Sequence, residues 1–146
     1  FAPVLQHLEQ SIHAEQVFCS IVTEMKFMPA FKDDPNLAEV HRQNYETSYH
    51  RNTAAGNLRR LLAGAGPSEE MLVLMTIECF VEAKRHDRQA EEALKAIRTE
   101  SPADEGWIQA AERWHARRRQ ALRMARRLLR QSVSEETWAK GVALAE

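Results

Sequence analysis

"ERWHARRRQALRMARRLLRQ", residues Glu112–Gln131, holds eight arginines and one acidic residue. Placed on a helix at about 100° per residue, the run separates into two faces. Trp114, Ala121, Leu122, Ala125, Leu128 and Leu129 continue an apolar face that begins at Trp107 and Ala111. Arg119, Arg123, Arg126 and Arg130 form a narrow stripe on the opposite face, where packing leaves them solvated. Arg118 falls in the middle of the apolar face, between Trp114 and Leu122. The segment therefore reads as a packed helix with a basic outer face and one charge aimed at the core.

Turn signals divide the rest of the chain into similar lengths. "PAFKDDPN" (Pro29–Asn36) brackets an Asp-Asp pair with two prolines. In "AGAGPSEE" (Ala63–Glu70), Gly64 or Gly66 suits a helix end, and Pro67 suits the first turn of the next helix. "TESPADEG" offers Ser101 as a cap and Pro102 as a helix start. "SVSE" (Ser132–Glu135) reads as a capping box for a short helix containing Trp138. No alternating β pattern or internal repeat competes with this reading. Short loops make successive helices antiparallel neighbours. The expected fold is all-α: one domain over 1–146, an antiparallel up-down-up-down four-helix bundle with a short C-terminal fifth helix.

The chain has 146 residues and a formal net charge of −1. That length buries a real core, and no apolar run approaches membrane-spanning length. The two cysteines, Cys19 and Cys79, form no metal or redox motif and are expected as free thiols. With no charged-then-apolar leader at Phe1, a cytoplasmic protein is expected.

Helical phasing gives further core residues: Leu5, Leu8, Ile12, Cys19 and Val22; Leu37, Val40, Ala55, Leu58 and Leu62; and Met71, Met75, Ala93 and Ala96. Several polar residues intrude on these faces. Glu15 does so on the first helix, Asn44 and Arg51 on the second, and Glu78 and Glu82 on the third. A buried charge is costly unless paired, so their heights matter. Reflecting Glu15 through turns centred near Lys32, Gly66 and Pro102 reaches Tyr49, Ala83 and Ala121. Arg51, Glu82 and Arg118 are the intruding residues nearest those levels. An internal layer of Glu15, Arg51, Glu82 and Arg118, with Asn44 and Glu78 beside it, is expected. It serves either as a register-fixing ion network or as an internal site that clamps an anion.

Metal ligation is the weaker option. Bundle di-metal sites use Glu-x-x-His on two helices, and this chain has one such motif, Glu112 with His115. The pairs Glu9/His13, Glu46/His50 and Glu82/His86 are spaced four apart. His41, His86 and His115 fall at roughly one height, so His41, His86, Glu112 and His115 form the alternative metal set. No metal and no cofactor are expected. Tyr45 and Tyr49 are read as packing, and Met25, Met28, Met71 and Met75 as core filler.

Arginines spaced four, three and four along one face suit a phosphate backbone. Trp107 and Trp114 point into the core in this phasing, which removes base stacking. The expected function is a non-catalytic interaction module. Arg119, Arg123, Arg126 and Arg130 would engage an anionic partner, either nucleic acid, including a nucleoprotein complex, or an acidic protein surface. No membrane partner is expected, and self-association is a further option. The alternative is a bundle whose internal Glu/Arg layer binds a small ligand or performs catalysis.

Overall fold

The computed structural model describes residues 1–66 and 68–146. The described residues form five helices: α1 (Ala2–Lys26), α2 (Pro35–Ala63), α3 (Glu69–Ala96), α4 (Pro102–Ser132) and α5 (Glu135–Leu144). Their ends follow from local chemistry. Asp34 caps α2 by accepting from the Asn36 amide at 2.8 Å, with Pro35 in the first turn. Gly64 closes that helix at φ 67°, a left-handed conformation that favours glycine. Ser101 occupies the N-cap of α4, but its hydroxyl makes no cap bond. The last cap lies two residues later than the sequence reading placed it. Ser134, not Ser132, accepts from the Thr137 amide at 3.1 Å. The expected placement of Pro67 lies outside the described residues.

The four long helices close into a ring in which α1 meets α2, α2 meets α3, α3 meets α4, and α4 returns to α1. The α2/α3 and α1/α4 contacts are the most extensive, so the bundle resembles two helix pairs laid against each other. Cross-helix partners run in opposite directions. Glu9 meets Arg59 and Glu15 meets Arg51; Asn36 meets Ala96 and Thr47 meets Asp87. Neighbours are therefore antiparallel. α5 folds back onto α3, where Gly141 packs so closely on Ile77 that a Cβ would come within 2.5 Å of it.

The core has two apolar halves. One gathers Leu8, Leu58, Ile77, Phe80, Leu122 and Trp138. The other gathers Phe18, Met25, Leu37, Val40, Leu94 and Ile108, with Phe31 tucked in from the first loop. A polar band of Ser11, Glu15, Thr47, Arg51, Asp87 and Arg118 contains groups buried to 3% exposure or less.

The third helix is rotated from its expected phase. Met71 and Met75 are substantially exposed, and Ala96 is exposed too. The core-facing row is instead Leu72, Thr76, Phe80, Ala83, Asp87, Ala90 and Leu94, with Val73 and Ile77 beside it. The 3–4 spacing of that row is the seam of a bundle helix. Leu62 and Trp107, also expected in the core, lie near helix ends and are exposed. Tyr45 and Tyr49 project from α2 at 77% and 61% exposure, so packing does not account for them.

Candidate functional site

Arg51 is the hub of the polar band. Its Nη2 donates to Asp87 Oδ2 at 2.5 Å, and its Nη1 to Asp87 Oδ1 at 2.8 Å and Glu15 Oε2 at 3.1 Å. Its Nε donates to Ser11 Oγ at 2.9 Å, and the Ser11 hydroxyl donates onward to the Arg118 carbonyl at 2.7 Å. Thr47 accepts from Arg51 and donates to Asp87. Arg118 is held more loosely. Its Nη1 donates to Asn44 Oδ1 at 2.9 Å and lies 3.5 Å from Glu15, while its guanidinium covers the Phe18 ring at 4.3 Å. Its Nη2 has no hydrogen-bond partner among the described residues.

Three of the four expected members thus meet. The member from α3 is Asp87 rather than Glu82. Glu82 and Glu78 are only half-buried, and Glu82 pairs with Arg85 at 2.6 Å. The rotation of α3 explains the exchange: Asp87 lies in the core row and Glu82 at the helix flank.

Two guanidiniums and two carboxylates make the band electrically balanced. Burial pushes the Asp87 carboxyl up, but Arg51 and Arg118 outweigh it and hold the group down at about 2. Burial dominates at Glu15, whose pKa is raised despite both arginines. Burial and Arg118 lower His115 to about 4, so its imidazole is neutral at pH 7. In that form Nδ1 accepts from Arg118 Nε at 3.1 Å. Cys19 and Cys79 are both free, with burial pushing their thiols up to about 11 and about 12.

The arginine stripe is less solvated than its sequence implied, because α3 and α5 cover part of it. Arg119 bonds Glu91 of α3 at 2.5 Å. The guanidiniums of Arg126 and Arg130 lie 5.5 Å from the Trp138 ring of α5. Arg123 remains exposed. Between α3 and α4, a recess of about 50 Å³ is lined by Lys84, Arg119, Arg123 and Arg126, with Leu122 and Asp87 also in its wall. Burial, then the charges of Arg126, Arg88, Arg119 and Arg123, lower the Lys84 pKa. The aromatic reading also changes. Trp107 is 37% exposed, and Trp114 lies half-buried beneath the Arg117 guanidinium at 4.3 Å.

The alternative metal set does not assemble. Glu112 points to solvent, His115 belongs to the polar band, and His86 bonds Gln43 on the α2/α3 flank. His41 is lowered by burial, and its Nε2 lacks a hydrogen-bond partner among the described residues. A different trio lies together on α2 and α3: Glu46, His50 and His86.

No helix among the described residues is long and apolar enough to cross a membrane. Comparisons with protein-family models, curated proteins and solved structures return no match.

Proposed function

We propose that the protein is a non-catalytic helical module that binds the phosphate backbone of a nucleic acid along its α3/α4 face. The observation that carries this reading is the crowding of cations there: Lys84 of α3 under the field of Arg88, Arg119, Arg123 and Arg126. Like charges at close range repel, and a bound anion relieves that repulsion. Glu91 neutralises Arg119 in part, and Asp87 in the wall already serves Arg51 and Arg118. The face therefore carries excess positive charge.

Arginine suits this task because its planar fork donates two parallel bonds to a phosphate. Trp138 supports the Arg126 and Arg130 guanidiniums and limits their freedom. The internal-site alternative is less well supported. Every nitrogen of the Arg51 guanidinium bonds a protein group, and the band is charge-balanced, as expected of a register-fixing network.

Fluorescence anisotropy with labelled single- and double-stranded oligonucleotides of mixed sequence tests the reading. Binding is expected at low salt for both, with log affinity falling linearly as log salt rises. Absence of binding to either at low ionic strength would end it.

A further inference from the structure

We propose that Glu46, His50 and His86 form a binding site for one divalent transition-metal ion of the zinc class, with Glu82 supplying the fourth ligand, so that the ion clips α2 to α3. The inference is independent of the α3/α4 face.

The geometry begins with helical spacing. Glu46 and His50 lie one turn apart on α2, and Glu82 and His86 one turn apart on α3. The two helices are antiparallel, with Thr47 against Asp87, so Glu46 comes level with His86 and His50 with Glu82. One ligand atom from each of Glu46, His50 and His86 lies within 4.8 Å of the others, and all three residues are half-buried. Around a tetrahedral ion, ligand atoms stand roughly 3.3 Å apart, given metal–nitrogen distances of about 2.0–2.1 Å. The His50 and His86 rings lie nearly parallel, 9° apart in plane with centroids at 5.8 Å. With His86 held by Gln43, the adjustment an ion requires falls on His50, by rotation of its ring about χ2.

The surroundings prepare His86 as a ligand. Gln43 Nε2 donates to Glu39 Oε1 at 2.8 Å, and a carboxylate only accepts, which fixes the amide with Oε1 toward His86. His86 Nδ1 lies 2.6 Å from that oxygen and must therefore carry the proton. In the neutral ring Nε2 then keeps its lone pair, 3.7 Å from Glu82 Oε2. A lone pair facing a carboxylate is unfavourable, and either a proton on Nε2 or a metal ion between the two groups relieves it. A metal-bound histidine whose other nitrogen donates to an oriented acceptor is the usual outer arrangement of such sites. Arg85 occupies the other oxygen of Glu82 at 2.6 Å and leaves Oε2 available. Two neutral imidazoles with two carboxylates give the mixed nitrogen and oxygen donor set that zinc accepts.

Isothermal titration of the metal-free full chain with Zn²⁺, repeated with Co²⁺ to read its visible spectrum, tests the assignment. One ion per chain is expected. His50→Gln and His86→Gln should each weaken binding by at least about 100-fold. Gln43→Ala touches no metal and should weaken it by about 10–100-fold. His50 and His86 are half-buried and Gln43 is buried, and circular dichroism confirms that each variant is folded. Retention of wild-type affinity in the folded His50→Gln/His86→Gln double variant, or no uptake by the wild type, would overturn the site.

Discussion

At the centre of the bundle two guanidiniums meet two carboxylates, whereas on the α3/α4 face Lys84, Arg88, Arg123 and Arg126 crowd together with Glu91 already paired to Arg119. Both regions are built largely from arginine, yet they do different work. In the central band each charge was removed from water and is matched, as the proposed register-fixing role requires. On the α3/α4 face water still screens the charges, so imbalance is tolerated and becomes available to a partner. Charge balance and solvent access, rather than residue type, separate the buried network from the proposed binding surface.

The largest effect is expected where matching is broken. Arg51→Met leaves Asp87 and Glu15 buried without their main partner and should cost about 3–5 kcal/mol in urea unfolding. Arg118→Met should cost less, about 1.5–3 kcal/mol, because Arg51 still serves both acids. An Arg118 variant more damaging than the Arg51 variant would reverse the assignment of the hub. Replacing Glu15, Arg51, Asp87 and Arg118 together with packed apolar residues should cost little, and should leave nucleic-acid binding intact. Loss of binding in that stable variant would move the function inward.

A middle-sized effect is expected from acid. His115 has a folded pKa of about 4 against an ordinary 6.5. The unfolded chain therefore takes up the proton first, and stability is lost as pH falls from about 6.5 to 4. This should amount to roughly 2–3 kcal/mol. Asp87 adds a second decline, from its ordinary 3.8 down to about 2, of about 2 kcal/mol. Unfolding free energies measured against pH should show both declines in the wild type, and His115→Leu should lose most of the upper one, leaving the smaller part that His41 and His50 contribute. An undiminished decline between pH 6.5 and 4 in that variant would assign it to another group.

The sequence displayed the helices and their antiparallel order because turn chemistry and apolar spacing agree at each break. It also displayed Glu15, Arg51 and Arg118, which interrupt otherwise apolar faces. Asp87 was legible in the spacing Phe80–Ala83–Asp87–Ala90–Leu94, but Met71 and Met75 weigh as heavily as Val73 and Ile77 when hydropathy alone sets the phase. Height did not discriminate, since an arginine side chain spans much of the roughly 7.5 Å between the levels of Glu82 and Asp87. The same phase error hid the Glu46, His50 and His86 cluster. Assigning Glu82 to the core took its partner His86 off the flank where α2 presents His50. The partial cover of the arginine stripe was not legible, because it depends on how α5 docks on α3 and places Trp138.

The smallest structural disturbance gives the most direct test of the binding face. Lys84→Gln/Arg123→Gln removes two charges from the α3/α4 recess, and Arg113→Gln/Arg117→Gln removes two exposed charges from elsewhere on α4. Neither pair should noticeably change the unfolding midpoint, since solvated charges contribute little. In anisotropy titrations across salt, the first pair should weaken binding to all sequences alike and flatten the log–log slope by up to about two units. The control pair should leave slope and affinity close to wild type. Equal losses in both pairs, or a loss confined to the control, would contradict a binding face centred on the α3/α4 recess.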